Sequence, residues 1–240
     1  MGRAHEVRAA AMAKTAALKS KLYSRYGKEL YIAAKNGVPD PEMNLALRSK
    51  IKEAKANQVP ADVIKRAIEK AKGGSNEQYE TLRYEGIGPA GATIIVDCLT
   101  DNSNRTVAAM NSCFNKARCK MGVKGSVSFN YDNLGILSFK YEDEDKMLDT
   151  LVEADVDVND LEVEDGEMTV YVTPTDLHKA QEAIDQLIAE CEYSVCAIKM
   201  IPQEYVKLED PHDREMWERL LNLLNEVDDV NEIFHNVELD

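Results

Sequence analysis

The chain has 240 residues, of which 44% are hydrophobic, and this is enough to build the cores of two or three small domains. That composition argues against disorder throughout the chain. The sequence contains no run of eighteen apolar residues, and its first residues lack the apolar core of a signal peptide, so we expect a cytoplasmic protein. The five cysteines are odd in number and none has the spacing CxxC, which favours reduced thiols over a disulfide framework or a metal site.

The net charge of −14 hides a strong asymmetry along the chain. Residues 1–74, which we call the basic head, carry 16 Lys and Arg against 7 Asp and Glu, a net charge of +9. The rest of the chain carries 13 basic residues against 36 acidic ones, a net charge of −23. A basic segment of this kind is typical of proteins that bind nucleic acid, whereas the acidic remainder offers a surface for a protein partner.

The head is predicted to fold as a bundle of three helices behind an Ala- and Lys-rich arm. Asn36-Gly37 supplies a left-handed stop for the first helix. Asp40-Pro41 is a cap and first turn for the second helix, and Pro60 opens the third, which ends at Gly73-Gly74. Apolar residues recur at helical spacing in all three segments. They are Leu18, Leu22, Tyr26, Leu30 and Ala33, then Met43, Leu47, Ile51 and Ala54, then Ile64, Ala67, Ile68 and Ala71.

After the head, the hydrophobic pattern changes to the alternation of strands. Strands are expected at 82–85, 93–99 and 126–130, with a helix at 103–116. From Gly135 onward the predicted order is βαββαβ, that of a ferredoxin-like unit. We therefore expect an α+β protein. Its predicted domains are the helical head (1–74), a mixed α+β domain (75–131 plus 202–240) and a ferredoxin-like domain inserted into it (132–201).

Basic residues of the head are the candidate ligands for nucleic acid. Helical spacing places Lys21, Arg25 and Lys28 on the side of the first helix opposite its apolar residues. Neutralisation of phosphates explains so one-sided a charge, and a solvated helix surface is the alternative. The residues predicted to contact nucleic acid are Arg3, Arg8, Lys14, Lys19, Lys21, Arg25, Lys28, Lys35, Arg48, Lys52, Lys55, Lys65 and Arg66 in the head, and Arg105 outside it.

Residues 86–91 match the dinucleotide-binding pattern GxGxxG. That pattern binds a cofactor only where a helix follows it directly. Here Pro89 removes an amide, and the β-branched residues from Thr93 onward predict a strand. The pattern is therefore interpreted as a turn between two strands, and no cofactor is expected.

The segment Asp101-Asn102-Ser103-Asn104 joins a strand to a helix, and each of its residues is a good N-cap. Capping is the simpler interpretation. Alternatively, the exposed amides of the helix start form a phosphate site together with Arg105. The four histidines are scattered and fall in no nucleophile motif, so we expect neither catalysis nor a bound metal.

Several of these segments together resemble the YebC/PmpR family of probable transcriptional regulators, which includes the mitochondrial translational activator of cytochrome oxidase subunit one. The resemblance covers nearly the whole chain. It is carried by Asp40-Pro41, Ile64-Lys65-Arg66-Ala67-Ile68, residues 84–91, residues 99–107 and Gly125-Ser126-Val127. It implies three domains, one inserted in another, and a DNA-binding or ribosome-binding regulatory role without a cofactor. The chain departs from the family at its first residues and at Arg118-Cys119, where a Gly-Gly pair is common.

The predicted function is that of a non-enzymatic, DNA-binding transcriptional regulator that contacts nucleic acid through the head. The alternatives are a ribosome- or ribosomal-RNA-binding translation factor and an adaptor that works through its acidic surface. Neither a clear helix-turn-helix nor an RNA-recognition motif is present. Tyr23, Tyr26 and Tyr31 interleave with the basic residues of the first helix as possible stacking residues, but Tyr26 belongs to the apolar positions and is expected in the core.

Overall fold

The computed structural model describes residues 16–73 and 78–238. It confirms the α+β class, with helices and two four-stranded sheets in the described part of the chain. Contacts divide the chain into two compact units. The first contains the described parts of 1–75 and 133–199, and the second contains those of 76–132 and 200–240. The division into three domains remains a prediction.

In its described residues, 16–73, the head contains the helices α1 (Ala16–Lys35), α2 (Leu45–Ala56) and α3 (Ala61–Lys72). The common core of the three helices contains most of the predicted apolar positions, but not Met43, which precedes α2 and is 73% exposed. It consists of Tyr26, Leu30, Ala34, Leu47, Ala54, Val59, Ile64 and Ala67. The arm, with Arg3, Arg8 and Lys14, lies outside the described residues, as does the side chain of Leu18.

The start of α2 corrects the prediction made from Asp40-Pro41. The helix begins at Leu45, because Asn44 is its N-cap and accepts a hydrogen bond from the backbone N–H of Leu47 at 3.0 Å. The same Asn44 side chain donates to the carbonyl oxygens of Ala33 and Val38, so it also anchors the end of α1. Gly37 does not adopt the predicted left-handed conformation. A side chain there would meet the Asn44 amide nitrogen at 2.6 Å.

The second unit contains a sheet of four strands in the order β3-β1-β2-β8, packed against two helices. The strands are β1 (Glu80–Ile87), β2 (Thr93–Thr100), β3 (Lys120–Met121) and β8 (Val230–His235). The helices are α4 (Ser103–Lys116), at the bounds that the sequence predicts, and α7 (Pro211–Asn225).

The glycine-rich segment is a turn between the antiparallel strands β1 and β2, as the sequence predicts. Packing requires the glycines at positions 86 and 88, whereas the left-handed φ of 82° favours glycine at position 91. A Cβ atom on Gly86 would lie 2.2 Å from the ring of Phe114, and one on Gly88 would lie 2.8 Å from the ring of Trp217. The pattern that resembles a cofactor loop is thus explained by two aromatic rings that pack on the backbone of the turn.

The prediction of a strand at 126–130 is wrong. Residues 128–130 form a short 3-10 turn, because the backbone amides of this segment bond to a side chain instead of a strand. Glu85 of β1 is 1% exposed, and its carboxylate accepts hydrogen bonds from the N–H groups of Gly125 at 2.7 Å, Val127 at 2.7 Å and Ser128 at 3.0 Å. The buried carboxylate therefore fixes the loop that follows β3.

The other sheet has the strand order β5-β6-β4-β7, that of a ferredoxin-like unit. Its strands are β4 (Tyr131–Lys140), β5 (Val158–Glu164), β6 (Glu167–Val172) and β7 (Tyr193–Pro202), with helices α5 (Glu144–Glu153) and α6 (Leu177–Leu187). Of all helices in the described ranges, none is both long and apolar enough to cross a membrane.

Replacing Glu85 by Gln is expected to lower the free energy of unfolding by about 2 kcal/mol, because the neutral amide satisfies fewer buried N–H donors. Urea denaturation measures this change. Glu80→Gln, an exposed residue of the same strand, is the matched control and should be nearly neutral. Equal stability of the two variants would contradict the anchoring role of Glu85.

The same site predicts how stability depends on pH. Burial by itself would raise the pKa of Glu85, but the three amide donors hold it below its ordinary value. A lowered pKa means that the stabilisation is fully present above the unfolded pKa of about 4.3 and is lost as the pH falls through the folded value. Glu85→Gln should therefore lose less stability on acidification than the wild type does.

Candidate nucleic-acid interface

Two helices of the head bring basic side chains together around one tyrosine. Tyr31 of α1 is 2% exposed, and the Lys35 ammonium donates a hydrogen bond of 3.1 Å to its hydroxyl. Lys35 and Lys70 of α3 each lie 5.4 Å from the centre of the Tyr31 ring. The packing of α3 on α1 brings Lys70 close to Lys35, which the sequence does not predict.

A second group of charges is structural, and it corrects the placement of Arg25. This side chain is only 11% exposed and pairs with Glu29 at 3.1 Å, so it does not project outward as helical spacing predicted. Lys50 pairs with Glu29 at 3.2 Å and with Glu53 at 2.6 Å. The hydroxyl of Tyr26 also donates to Glu53, which links α1 to α2.

Lys50 is partly buried, with 29% of its side chain exposed, despite its charge. Burial alone would lower its pKa, but Glu29 and Glu53 outweigh burial and raise it. The side chain therefore stays charged and serves to neutralise two carboxylates between the helices. No spacing rule identifies Lys50 as different from its neighbours, because it bridges a carboxylate of its own helix and one of α1.

Two other residues predicted to contact nucleic acid form ion pairs with exposed carboxylates. Lys65 pairs with Glu69 at 3.9 Å, and Arg66 pairs with Asp62 at 2.5 Å; all four side chains are more than half exposed. Exposed pairs of this kind contribute little to stability, so a phosphate can replace the carboxylate at small cost. Arg48 donates hydrogen bonds to the carbonyl oxygens of Pro41 and Glu42, which tie it to the turn before α2.

Lys52 and Lys55 of α2 lie close to the ferredoxin-like part of the same unit. Lys52 is 3.7 Å from Glu182 of α6. Both lysines line a cleft of about 980 Å³ together with acidic residues such as Glu167 and Glu190. The positive potential on this flank of α2 is therefore weaker than the sequence of the head suggests.

Three exposed lysines, one on each helix, have no ion-pair or hydrogen-bond partner within the described part of the chain: Lys19, Lys55 and Lys72. Lys21 and Lys28 are half-buried, whereas Lys35 is exposed.

The structure does not support base stacking by two of the three tyrosines proposed for it, since Tyr26 and Tyr31 are at most 2% exposed. The expected core position of Tyr26 is confirmed.

Arg105 is held by carboxylates of its own unit. Its guanidinium bonds to Asp229 at 2.7 Å and to Asp101 at 2.8 Å. Asp229 is almost fully buried and also accepts a hydrogen bond from the hydroxyl of Thr106. The capping interpretation of the segment is confirmed, because the Asn102 side chain accepts from the Arg105 backbone N–H. A phosphate at Arg105, which stays a prediction, would compete with both carboxylates.

The cysteines have the environment of structural thiols. Cys98, Cys113, Cys119 and Cys196 are buried, and Cys191 is half-buried. Burial raises the pKa of Cys196 to about 12 and that of Cys191 to about 11. Both thiols are therefore protonated at neutral pH and are poor nucleophiles. Between 16 and 73 and between 78 and 238, His, Cys, Asp and Glu residues form no group that could hold a metal ion.

Two family profiles together match nearly the whole chain. Residues 3–74 match the profile of the TACO1/YebC protein N-terminal domain, and residues 79–237 match that of the TACO1/YebC second and third domain. The chain belongs to the TACO1/YebC family. The boundary between the two matched regions falls between the end of α3 and the start of β1.

Members of the TACO1/YebC family align with this chain over its full length. A protein of Acholeplasma laidlawii is 50% identical over 99% of this chain and 98% of its own. One of Alteromonas mediterranea is 46% identical over 98% of both chains. Each is named a probable transcriptional regulatory protein. The crystal structure of a conserved hypothetical protein from Aquifex aeolicus superposes with a TM-score of 0.75 at 31% identity, covering 95% of this chain and 93% of that one.

Arg105→Ala and Asp229→Ala are expected to lower the melting temperature, because both remove the ion pair that joins α4 to the segment before β8. Asp229→Ala should cost about 2 kcal/mol, since it also removes one of the two acceptors of the Thr106 hydroxyl. Lys116→Ala, at the other end of α4, removes an exposed base without a partner in the described ranges and is the control for the melting temperature. Unchanged melting of Arg105→Ala together with weaker nucleic-acid binding would instead support the phosphate site.

Proposed function

We propose that this chain is a non-enzymatic transcriptional regulatory protein that binds DNA through its basic head. The observation that carries the proposal is the charge division, +9 in the head against −23 in the remainder. The names of its relatives, probable transcriptional regulatory proteins, support the regulatory role. Exposed bases on all three helices provide the phosphate contacts.

The charge division also determines how such a protein approaches a duplex. A surface of net charge −23 is repelled by the phosphates, so only the head meets the backbone. Lys19, Lys55 and Lys72 neutralise phosphates directly. Lys65 and Arg66 do so after exchanging an exposed carboxylate for a phosphate oxygen.

Binding to ribosomal RNA as a translation factor is the second candidate, and the surface of α3 favours it. The exposed face of α3 carries Asp62 and Glu69 among its bases. Acidic residues on a helix face lower the positive potential that would draw it into the major groove, where phosphates line both sides. Ribosomal RNA offers an irregular surface, and basic ribosomal proteins beside it complement the acidic remainder.

The triple variant Lys19→Gln/Lys55→Gln/Lys72→Gln tests the head in the full-length protein. If about six phosphates are neutralised, the logarithm of affinity for duplex DNA should fall against the logarithm of salt concentration with a slope of roughly −5. The variant should make that slope shallower by about 0.9 for each phosphate that it no longer neutralises. Fluorescence anisotropy with a labelled duplex measures both quantities.

The control for this test is Lys146→Gln/Lys207→Gln/Arg219→Gln, which removes the same charge from exposed positions outside the head. It should leave the slope unchanged. An equal loss in both triples would show that net charge alone governs binding. Co-sedimentation of the same proteins with ribosomes at one salt concentration separates the two candidates, because the RNA-binding function requires tighter binding to ribosomes than to random duplex.

A further inference from the structure

The acidic part of the chain contains one segment from which acidic residues are missing. Residues 102–131 carry five Lys and Arg and no Asp or Glu. The other residues after position 74 carry 8 bases and 36 acids. An even distribution would place several acidic residues in a segment of this length, so its composition requires a separate explanation.

The structure places four of these bases where α4 ends and the edge of the sheet begins. Lys116 is the last residue of α4, Arg118 follows with a left-handed φ of 57°, and Lys120 lies in β3 beside Ile87. Lys124 belongs to the turn that follows. All four side chains are exposed, and within the described ranges none forms an ion pair. We call residues 116–130 the basic loop segment.

Two exposed apolar side chains lie in the same segment. Phe129 is 69% exposed and Val123 is 78% exposed. The chain has four phenylalanines, and the other three, Phe114, Phe139 and Phe234, are at most 9% exposed. An exposed phenyl ring in the same segment as four exposed bases provides a stacking surface in addition to phosphate-binding groups.

The basic loop segment is held in shape without a ligand. The three amides that bond to the Glu85 carboxylate belong to its second half, between Lys124 and Phe129. Because that carboxylate is buried and bonded to amides, it does not pair with the surrounding bases. A loop fixed in this way loses little conformational entropy when it binds a partner.

We propose that the basic loop segment is a second nucleic-acid-binding surface, separate from the head, which takes unpaired nucleotides: its bases contact phosphates and Phe129 stacks on a base. Stacking on an aromatic ring combined with basic contacts to the backbone is how proteins bind single strands. A duplex offers the phosphates but keeps its bases stacked on each other. An acidic protein partner would use the charges and have no need of stacking.

The charges are tested with Arg118→Gly/Lys120→Gln/Lys124→Gln in the full-length protein. Glycine suits the left-handed φ of position 118, so the fold is not weakened there. Affinity for a single-stranded oligonucleotide of about 12 residues should fall about tenfold. The control triple Lys146→Gln/Lys207→Gln/Arg219→Gln should change it by less than about twofold. Parallel titrations with oligouridine and oligothymidine decide between RNA and DNA as the source of the single strand.

The ring is tested with two variants of Phe129. Phe129→Ala should weaken single-strand binding about fivefold and leave duplex binding unchanged. Val152→Ala, an exposed apolar position of α5, is its control. Phe129→Trp keeps the stacking surface and adds an exposed fluorophore, while the natural Trp217 is 3% exposed. Its fluorescence should be quenched by the single strand and restored by high salt.

Two results would overturn the proposal. One is unchanged single-strand affinity of the Arg118 triple variant, with all binding abolished in the head triple variant; this result would leave the proposed function of the head intact. The other is the absence of quenching in Phe129→Trp under conditions where the oligonucleotide is bound. Loss of duplex binding in the head triple alone, with quenching retained, supports both surfaces independently.

Discussion

The second unit depends on one buried interaction, the Glu85 carboxylate with its three backbone amides. A carboxylate on a central strand would be strongly unfavourable if its oxygens lacked donors. Its bonds to Gly125, Val127 and Ser128 satisfy it and replace the ladder that these amides would form in a strand. The chain after β3 is consequently a fixed loop at the sheet edge. The exposure of Phe129 and Lys124 follows from this geometry.

In the head, charge serves two purposes that composition cannot separate. Lys50 neutralises Glu29 and Glu53 and links α1 to α2, whereas Arg25 pairs with Glu29 within α1. The lysines at the exposed positions of the same helices remain available to an external polyanion. Because these two bases and two carboxylates cancel, the remaining residues of the head carry its net charge of +9.

Patterns that depend on neighbours along the chain were predictable. The bounds of α4 are those expected from its Asn-rich cap and its hydrophobic period, and the strands on either side of the glycine turn occur as predicted. The start of α2 could not be predicted in this way, because Asn44 caps the helix and bonds to the end of α1 at the same time. Asp40-Pro41 is an equally good local signal, and only the contact of Asn44 with α1 decides between the two.

The sequence by itself determined the α+β class, the order of most helices and strands, the charge asymmetry and the family, because these rest on periodicity, composition and short motifs. The tertiary structure alone decided which charges are available. Arg105 and Lys50 look like their neighbours in the sequence, yet the fold supplies each with a carboxylate from a distant segment, whereas Arg25 pairs with Glu29 four residues along the same helix. The physical reason is that an ion pair depends on distance in space, and packing brings together residues that the chain separates.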